Sequence, residues 1–184
     1  MSQRLDQTHR SAVPALQPTG PRQVQARQLV HFLFVFACLY ALLAILWARG
    51  FSTLLIDCAT VKPAAWLARQ ILADPRIFAD GSRIRSELGT INVLAGCEGT
   101  DALLLLSAGI LVYRARWRER IGGIIAGAAL VFLLNQGRIL VLFASLRAGN
   151  GWFGPLHGFI APLALVSLAL CYFLFWARWA DARR

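Results

Sequence analysis

Hydrophobic positions along this chain gather into four long apolar runs, at residues 29–48, 95–113, 121–146 and 159–177. Each reaches or approaches the roughly 20 helical residues that cross a hydrocarbon core about 30 Å thick. Four transmembrane helices are therefore expected, and the fold class is an all-α polytopic membrane protein. Between the first two runs, residues 49–94 follow a different pattern. In "VKPAAWLARQIL", Pro63 stands near the start, and Trp66, Leu67, Ile71 and Leu72 flank Arg69 and Gln70. This predicts a short amphipathic helix lying at the membrane interface. In "SRIRSELGTINVLAG", Ile84, Ile91 and Val93 alternate with polar neighbours around a Glu-Leu-Gly turn, which predicts a two-stranded hairpin. The hairpin delivers the chain to Gly96-Cys97 at the mouth of the second apolar run.

Composition agrees with this pattern. The chain has 184 residues, 58% of them hydrophobic, with a mean hydropathy of +0.57. Soluble domains are about 45–50% apolar, so an ordinary soluble fold is excluded. Residues 1–28 are polar, rich in Gln and Pro, and carry Arg4, Arg10, Arg22 and Arg27. They are expected to form a disordered cytoplasmic tail ahead of a single membrane domain at 29–184. No cleavable signal peptide is expected, because the first apolar run is longer than a signal core and lacks a small-residue cleavage site.

A net charge of +10 raises the question of nucleic-acid binding. The basic residues, however, sit at alternate membrane ends. One group precedes the first run, Arg114, Arg116, Arg118 and Arg120 crowd the loop before the third, and Arg178, Arg183 and Arg184 close the chain. Residues 49–94 carry six basic residues diluted by four acids. This is the positive-inside pattern. It predicts a multi-pass protein of the cell inner membrane with both termini cytoplasmic, and no nucleic-acid partner.

Cys38, Cys58, Cys97 and Cys171 form no CxxC and no metal-type spacing, so neither a metal nor another cofactor is expected. Cys38 and Cys171 lie inside apolar runs, as small buried hydrophobes do. Cys58 and Cys97 both fall on the outer side, where a disulfide is one reading and a reactive Cys97 the other.

Three polar groups on separate segments are expected at one depth on the extracytoplasmic face. Cys97 opens the second run, Arg138 lies in the outer third of the third, and His157 opens the fourth. A charged side chain within a span costs roughly 2.5–3.5 kcal/mol on insertion scales, so Arg138 is expected to face a polar interior; snorkelling to the interface is its plainer explanation. Asn135, one turn earlier, shares its helix face. Together the groups fit nucleophilic acyl transfer. A thiolate is favoured by a helix N-terminus and a nearby cation. An imidazole takes and returns the proton, and a guanidinium holds the developing oxyanion. Glu98 and Asp101 oppose a thiolate, and they also suit a first helical turn as dipole partners. Orienting His157 and recognising substrate are the other roles open to Glu98.

The ordered set Gly96-Cys97-Glu98-Gly99, Asn135-x-x-Arg138 and His157-Gly158 resembles the exosortase/archaeosortase family over residues 30–177. The resemblance implies a membrane-embedded cysteine peptidase or transpeptidase. Its partners would be exported proteins bearing a C-terminal sorting signal: a short motif of the PEP-CTERM kind, a transmembrane helix and a basic cluster. The new C-terminus would pass to a surface acceptor, such as a polysaccharide or a lipid-linked group. Cys97 would be the nucleophile, Arg138 the substrate-orienting or oxyanion group, and His157 the acid/base. Glu98 departs from the Ser or Ala usual after the family's cysteine, and the span count is about half that of full-length members. Both departures point to a compact branch, such as the one paired with IPTL-type signals. Two other classes fit the residues: a small accessory protein holding an anionic membrane lipid through Arg138, and a channel or transporter fragment.

Overall fold

A computed structural model describes residues 21–87, 89–94, 96–149 and 151–183. Helix α1 spans Pro21–Ala48. It begins inside the segment expected to be a disordered tail; residues 1–20 of that tail lie outside the described residues. After Gly50, a left-handed residue (φ 84°), the chain turns into a helix that changes pitch along its length. It comprises α2 (Phe51–Thr53), a π-helical segment (Leu54–Val61) and α3 (Lys62–Ile71). Three short strands follow, β1 (Phe78–Asp80), β2 (Arg83–Ser86) and β3 (Gly89–Asn92). Then come α4 (Thr100–Val112), α5 (Trp117–Ala148), α6 (Phe153–Pro155), a π-helical turn (Leu156–Ile160) and α7 (Ala161–Asp181).

Among the described residues, three stretches are long and apolar enough to cross a membrane: the 24 residues Gln25–Ala48, the 32 of α5 and the 29 of Phe153–Asp181. The expected second span is different. Only 13 of its residues are helical, about 20 Å at 1.5 Å per residue. The reason lies at its ends. Gly96 and Gly99 adopt positive φ before it, and Tyr113 and Arg116 are extended after it. The apolar pattern was continuous, but glycine and an extended linker stopped the helix.

These helices form a bundle in which α4 packs against α1, α5 and α7, and α5 packs against α7. Its core holds Ala102, Leu106, Ile110, Val131, Leu165, Ala169 and Trp176. Lipid offers no hydrophobic drive between helices, so close packing at small residues does most of the work. At Gly127 a Cβ would stand 2.6 Å from the Leu106 side chain and 3.0 Å from that of Tyr172. Gly123 lies just as close to Trp176, and the Tyr172 hydroxyl donates to its carbonyl at 2.7 Å. Gly122, next to Gly123 in sequence, faces open space instead.

The segment between α1 and α4 folds into a cap over the far end of α5. The helix over residues 62–71 forms as expected, but its buried face is Val61, Ala64, Ala65 and Ala68, while Trp66 and Ile71 point outward. Small side chains let α3 lie close on α5, and the large ones are left on its exposed face. The expected hairpin is β2–β3, with Ile84 paired to Ile91. A third strand, β1, pairs with β2 through Phe78 to Arg85 and Asp80 to Arg83; three residues were too few to show a period. Ile77, Ile84, Ile91 and Val93 join Ile139, Leu142 and Phe143 of α5 in one apolar cluster.

One acid ties the cap to α5. Asp74 is buried; its Oδ1 accepts from the backbone N–H of Arg76 at 3.0 Å and from Arg76 Nε at 3.1 Å. Its Oδ2 pairs with Arg147, in the last turn of α5, at 3.1 Å. The Arg76 N–H is the chief reason the Asp74 carboxyl is held below its ordinary value; burial opposes it, and the two guanidinium groups add to it. A carboxylate depressed on folding stabilises fully above about pH 3.9, and the gain is lost as pH falls through the folded value. Asp74→Asn is expected to lower the melting temperature of the purified chain at neutral pH. That gap should close as the pH drops below about 4. Identical melting of the two proteins at pH 7 would show that this ion set does not hold the cap.

Candidate functional site

Along α5 the buried residues advance in helical steps: Gly123, Gly127, Val131, Asn135, Ile139, and then Leu142 and Phe143. Val131 belongs to the bundle core, and Ile139 belongs to the cap core. Between them the helix turns polar. Asn135 is 1% exposed and Gln136 3%, and Arg138 is half-buried just beyond. Both amide atoms of Asn135, both of Gln136 and the Nε of Arg138 are buried without a hydrogen-bond partner among the described residues. Leaving one such group unpaired costs about 1–3 kcal/mol. A layer of them is a feature that packing alone would have eliminated. Because α5 starts at Trp117 rather than Ile121, Arg138 lies about 32 Å along the helix.

The turn Gly96-Cys97-Glu98-Gly99 lies on this layer. Gly96 has φ 89° and Gly99 φ 84°, conformations that a side chain disfavours. At Gly99 a Cβ would also stand 3.2 Å from Cγ of Asn135. Glycine is thus required twice over, and the close approach sets the thiol-bearing turn against the Asn135 face of α5. The Cys97 N–H donates to the Leu94 carbonyl at 3.0 Å, and the Thr100 hydroxyl donates to Glu98 Oε1 at 2.6 Å. Cys97 and Glu98 therefore sit in a turn ahead of α4, which begins at Thr100; of the two acids expected in its first helical turn, only Asp101 lies there.

Cys97 is half-buried against the cap core, which Phe153 and Leu156 also touch. His157 lies in the π-helical turn Leu156–Ile160, exposed, its ring stacked on Phe153 at 5.6 Å with an interplanar angle of 4°. Single π-turns inside α-helices recur at functional sites. Cys97 and the residues flanking His157 thus meet on one apolar cluster, while Asn135 and the Cys97 turn meet directly. The disulfide reading fails, since Cys58 and Cys97 are both free; Cys58 instead accepts from Lys62 Nζ at 3.6 Å. Cys38 and Cys171, expected to be buried, are exposed on the outer surfaces of their helices.

Sequence reasoning passed over Gln136, although an amide pair inside an apolar run was signal enough. It also passed over Tyr40 and Trp47. With Leu43 and Ala44 they form one face of α1, and these four residues line a cavity of about 250 Å³ together with Gly96, Glu98, Thr100 and Asp101. No residue count in α1 marks that face, because the helix is apolar all round. No protein-family model, curated protein or solved structure matches this chain.

Gly99→Ala is expected to destabilise the chain by about 1–3 kcal/mol, read as a lowered melting temperature, whereas Gly122→Ala should not. If Gly99→Ala melts like wild type, the close approach to Asn135 is not a constraint. A membrane-impermeant thiol reagent, applied to oriented vesicles of a Cys58→Ser chain, should label Cys97 ahead of Cys38 and Cys171. Labelling confined to Cys38 or Cys171 would mean that the Cys97 turn does not open to the outer aqueous phase.

Proposed function

We propose that this protein is a membrane-embedded cysteine peptidase or transpeptidase that cleaves C-terminal sorting signals of exported proteins on the extracytoplasmic face. One observation carries the reading. A glycine-flanked turn bearing a free thiol is pressed onto Asn135, in a polar layer where both amide atoms of Asn135 and Gln136 and the Nε of Arg138 are buried without partners among the described residues. Such a layer suits a peptide backbone, which brings its own donors and acceptors. The motif order that resembles exosortases and archaeosortases supports the same reading. The chain would cross the inner membrane four times, with α4 completed by its flanking turn and linker, and with both termini in the cytoplasm beside the arginine clusters.

In this reading the Cys97 thiolate attacks the scissile carbonyl and Arg138 binds the oxyanion. His157 accepts the thiol proton and returns it to the departing amine. The C–N bond breaks as the acyl group stays on sulfur, and water or a surface acceptor then displaces the thiolate. His157 would approach from its π-helical turn over Phe153. Glu98, with one carboxylate oxygen held by Thr100, acts on the turn rather than on the substrate.

The test substrate would be a secreted protein of the same genome that ends in a short shared motif, an apolar run and an arginine cluster. Coexpressed with it, the wild-type chain should shorten that protein. Cys97→Ala and Arg138→Ala should each lower processing at least a hundredfold, as loss of a nucleophile or an oxyanion donor does, while membrane insertion persists. Undiminished processing by Cys97→Ala would refute the thiol mechanism. If no wild-type processing occurs and Arg138→Ala loses anionic lipid instead, the accessory lipid-binding reading takes its place.

A further inference from the structure

The cavity between α1 and the Cys97 turn has a chemistry of its own. Two carboxylates border it, Glu98 and Asp101, in a chain with only nine acids and a net charge of +10. Glu98 is 8% exposed, and its Oε2 is buried with no partner among the described residues; Thr100 serves only Oε1. The Asp101 carboxylate folds back over the turn, its Oδ2 3.8 Å from where a Gly96 Cβ would stand. Neither acid takes part in an ion pair among the described residues. On the opposite wall, Tyr40 and Trp47 stand two turns apart on one face of α1. The buried Trp47 Nε1 donor also lacks a partner.

A buried carboxylate oxygen without a donor calls for a cationic N–H group, and an indole N–H calls for an acceptor oxygen. Aromatic side chains add attraction for an ammonium ion. Two carboxylates fall well short of the six to eight oxygens that calcium takes. The wanted ligand is therefore a compact zwitterion with an ammonium group a few bonds from an acceptor oxygen. The cavity has room for a group of that size, since one water occupies about 30 Å³. Its α1 wall belongs to a helix that the rest of the chain leaves unburied throughout residues 25–48. Tyr40 itself is 53% exposed on that surface.

We propose that this cavity binds the headgroup of an outer-leaflet aminophospholipid of the phosphatidylethanolamine class, with the ammonium on Glu98 and Asp101 and a phosphate oxygen on the Trp47 N–H. This assignment does not rest on the peptidase reading, and a chain without that activity would bind the lipid equally well. Primary ammonium is required, because a choline headgroup has no N–H to satisfy Glu98 Oε2.

The test is native mass spectrometry of the full chain released from detergent after titration with phosphatidylethanolamine, phosphatidylcholine or phosphatidylglycerol. Phosphatidylethanolamine should be retained at about tenfold lower concentration than the other two, the worth of one charge-assisted hydrogen bond. Glu98→Gln and Asp101→Asn should each erode that preference, and Trp47→Phe should weaken retention while keeping the ring. Asp101 is exposed, so its variant keeps the test open if Glu98→Gln fails to fold. Equal retention of the ethanolamine and choline lipids would overturn the proposal. So would an unchanged preference in folded Glu98→Gln. Displacement of the lipid by equimolar free O-phosphoethanolamine would overturn the assignment to a lipid and indicate a soluble ligand.

Discussion

A polar layer held between two apolar clusters on one helix governs the rest of this structure. Helix α5 enters the bundle core through Gly123, Gly127 and Val131 and leaves it for the cap core through Ile139, Leu142 and Phe143. Asn135, Gln136 and Arg138 occupy the step between. Apolar packing above and below fixes their height, and their own hydrogen bonds do not, since the buried amide atoms lack partners among the described residues. Such groups persist only when surrounding contacts over-determine them. The two clusters supply that excess.

The cap follows from the same arrangement. At 32 residues, α5 is about 48 Å long, well beyond a hydrocarbon core of about 30 Å. Its surplus turns carry Leu142, Phe143 and Ser145, buried under α3 and the sheet. The alanine face of α3 and the Ile84–Ile91 pair exist to cover that surplus, and the Asp74–Arg147 pair fastens the cover at its rim. A glycine-flanked turn then descends from the cap onto Asn135, which places Cys97 where cap, bundle and polar layer meet. The thiol, the orphaned amides and the cavity against α1 all lie around this one turn.

Glu98 draws two of these features together. One carboxylate oxygen accepts from Thr100 and the other is buried without a partner among the described residues, in a residue that directly follows the free thiol. Its negative charge would oppose a thiolate at Cys97 unless a cation lay nearby. A bound ammonium group would offset that charge within the same turn. Lipid occupancy and the reactivity of Cys97 would then be coupled through a single side chain.

The apolar runs, the arginine clusters and the hairpin were legible in the sequence, because each depends on local periodicity or on charge beside a membrane end. Arg138, Asn135 and Cys97 stood out for a related reason: polar groups in apolar surroundings are costly, and cost is visible residue by residue. Other features depended on contacts between distant segments. The 13-residue extent of α4 was set by two glycines of positive φ, one of which, Gly99, lies against Asn135, 36 positions away. The buried face of α3 was its alanines, chosen by the approach of α5 over its larger side chains. The α1 face with Tyr40 and Trp47 is invisible in a helix apolar all round, and only the turn packed against it singles those residues out. Sequence determined which segments avoid water and where polar groups interrupt them; tertiary packing decided where each helix stops and which face it turns inward, because both depend on the steric fit of neighbours far apart along the chain.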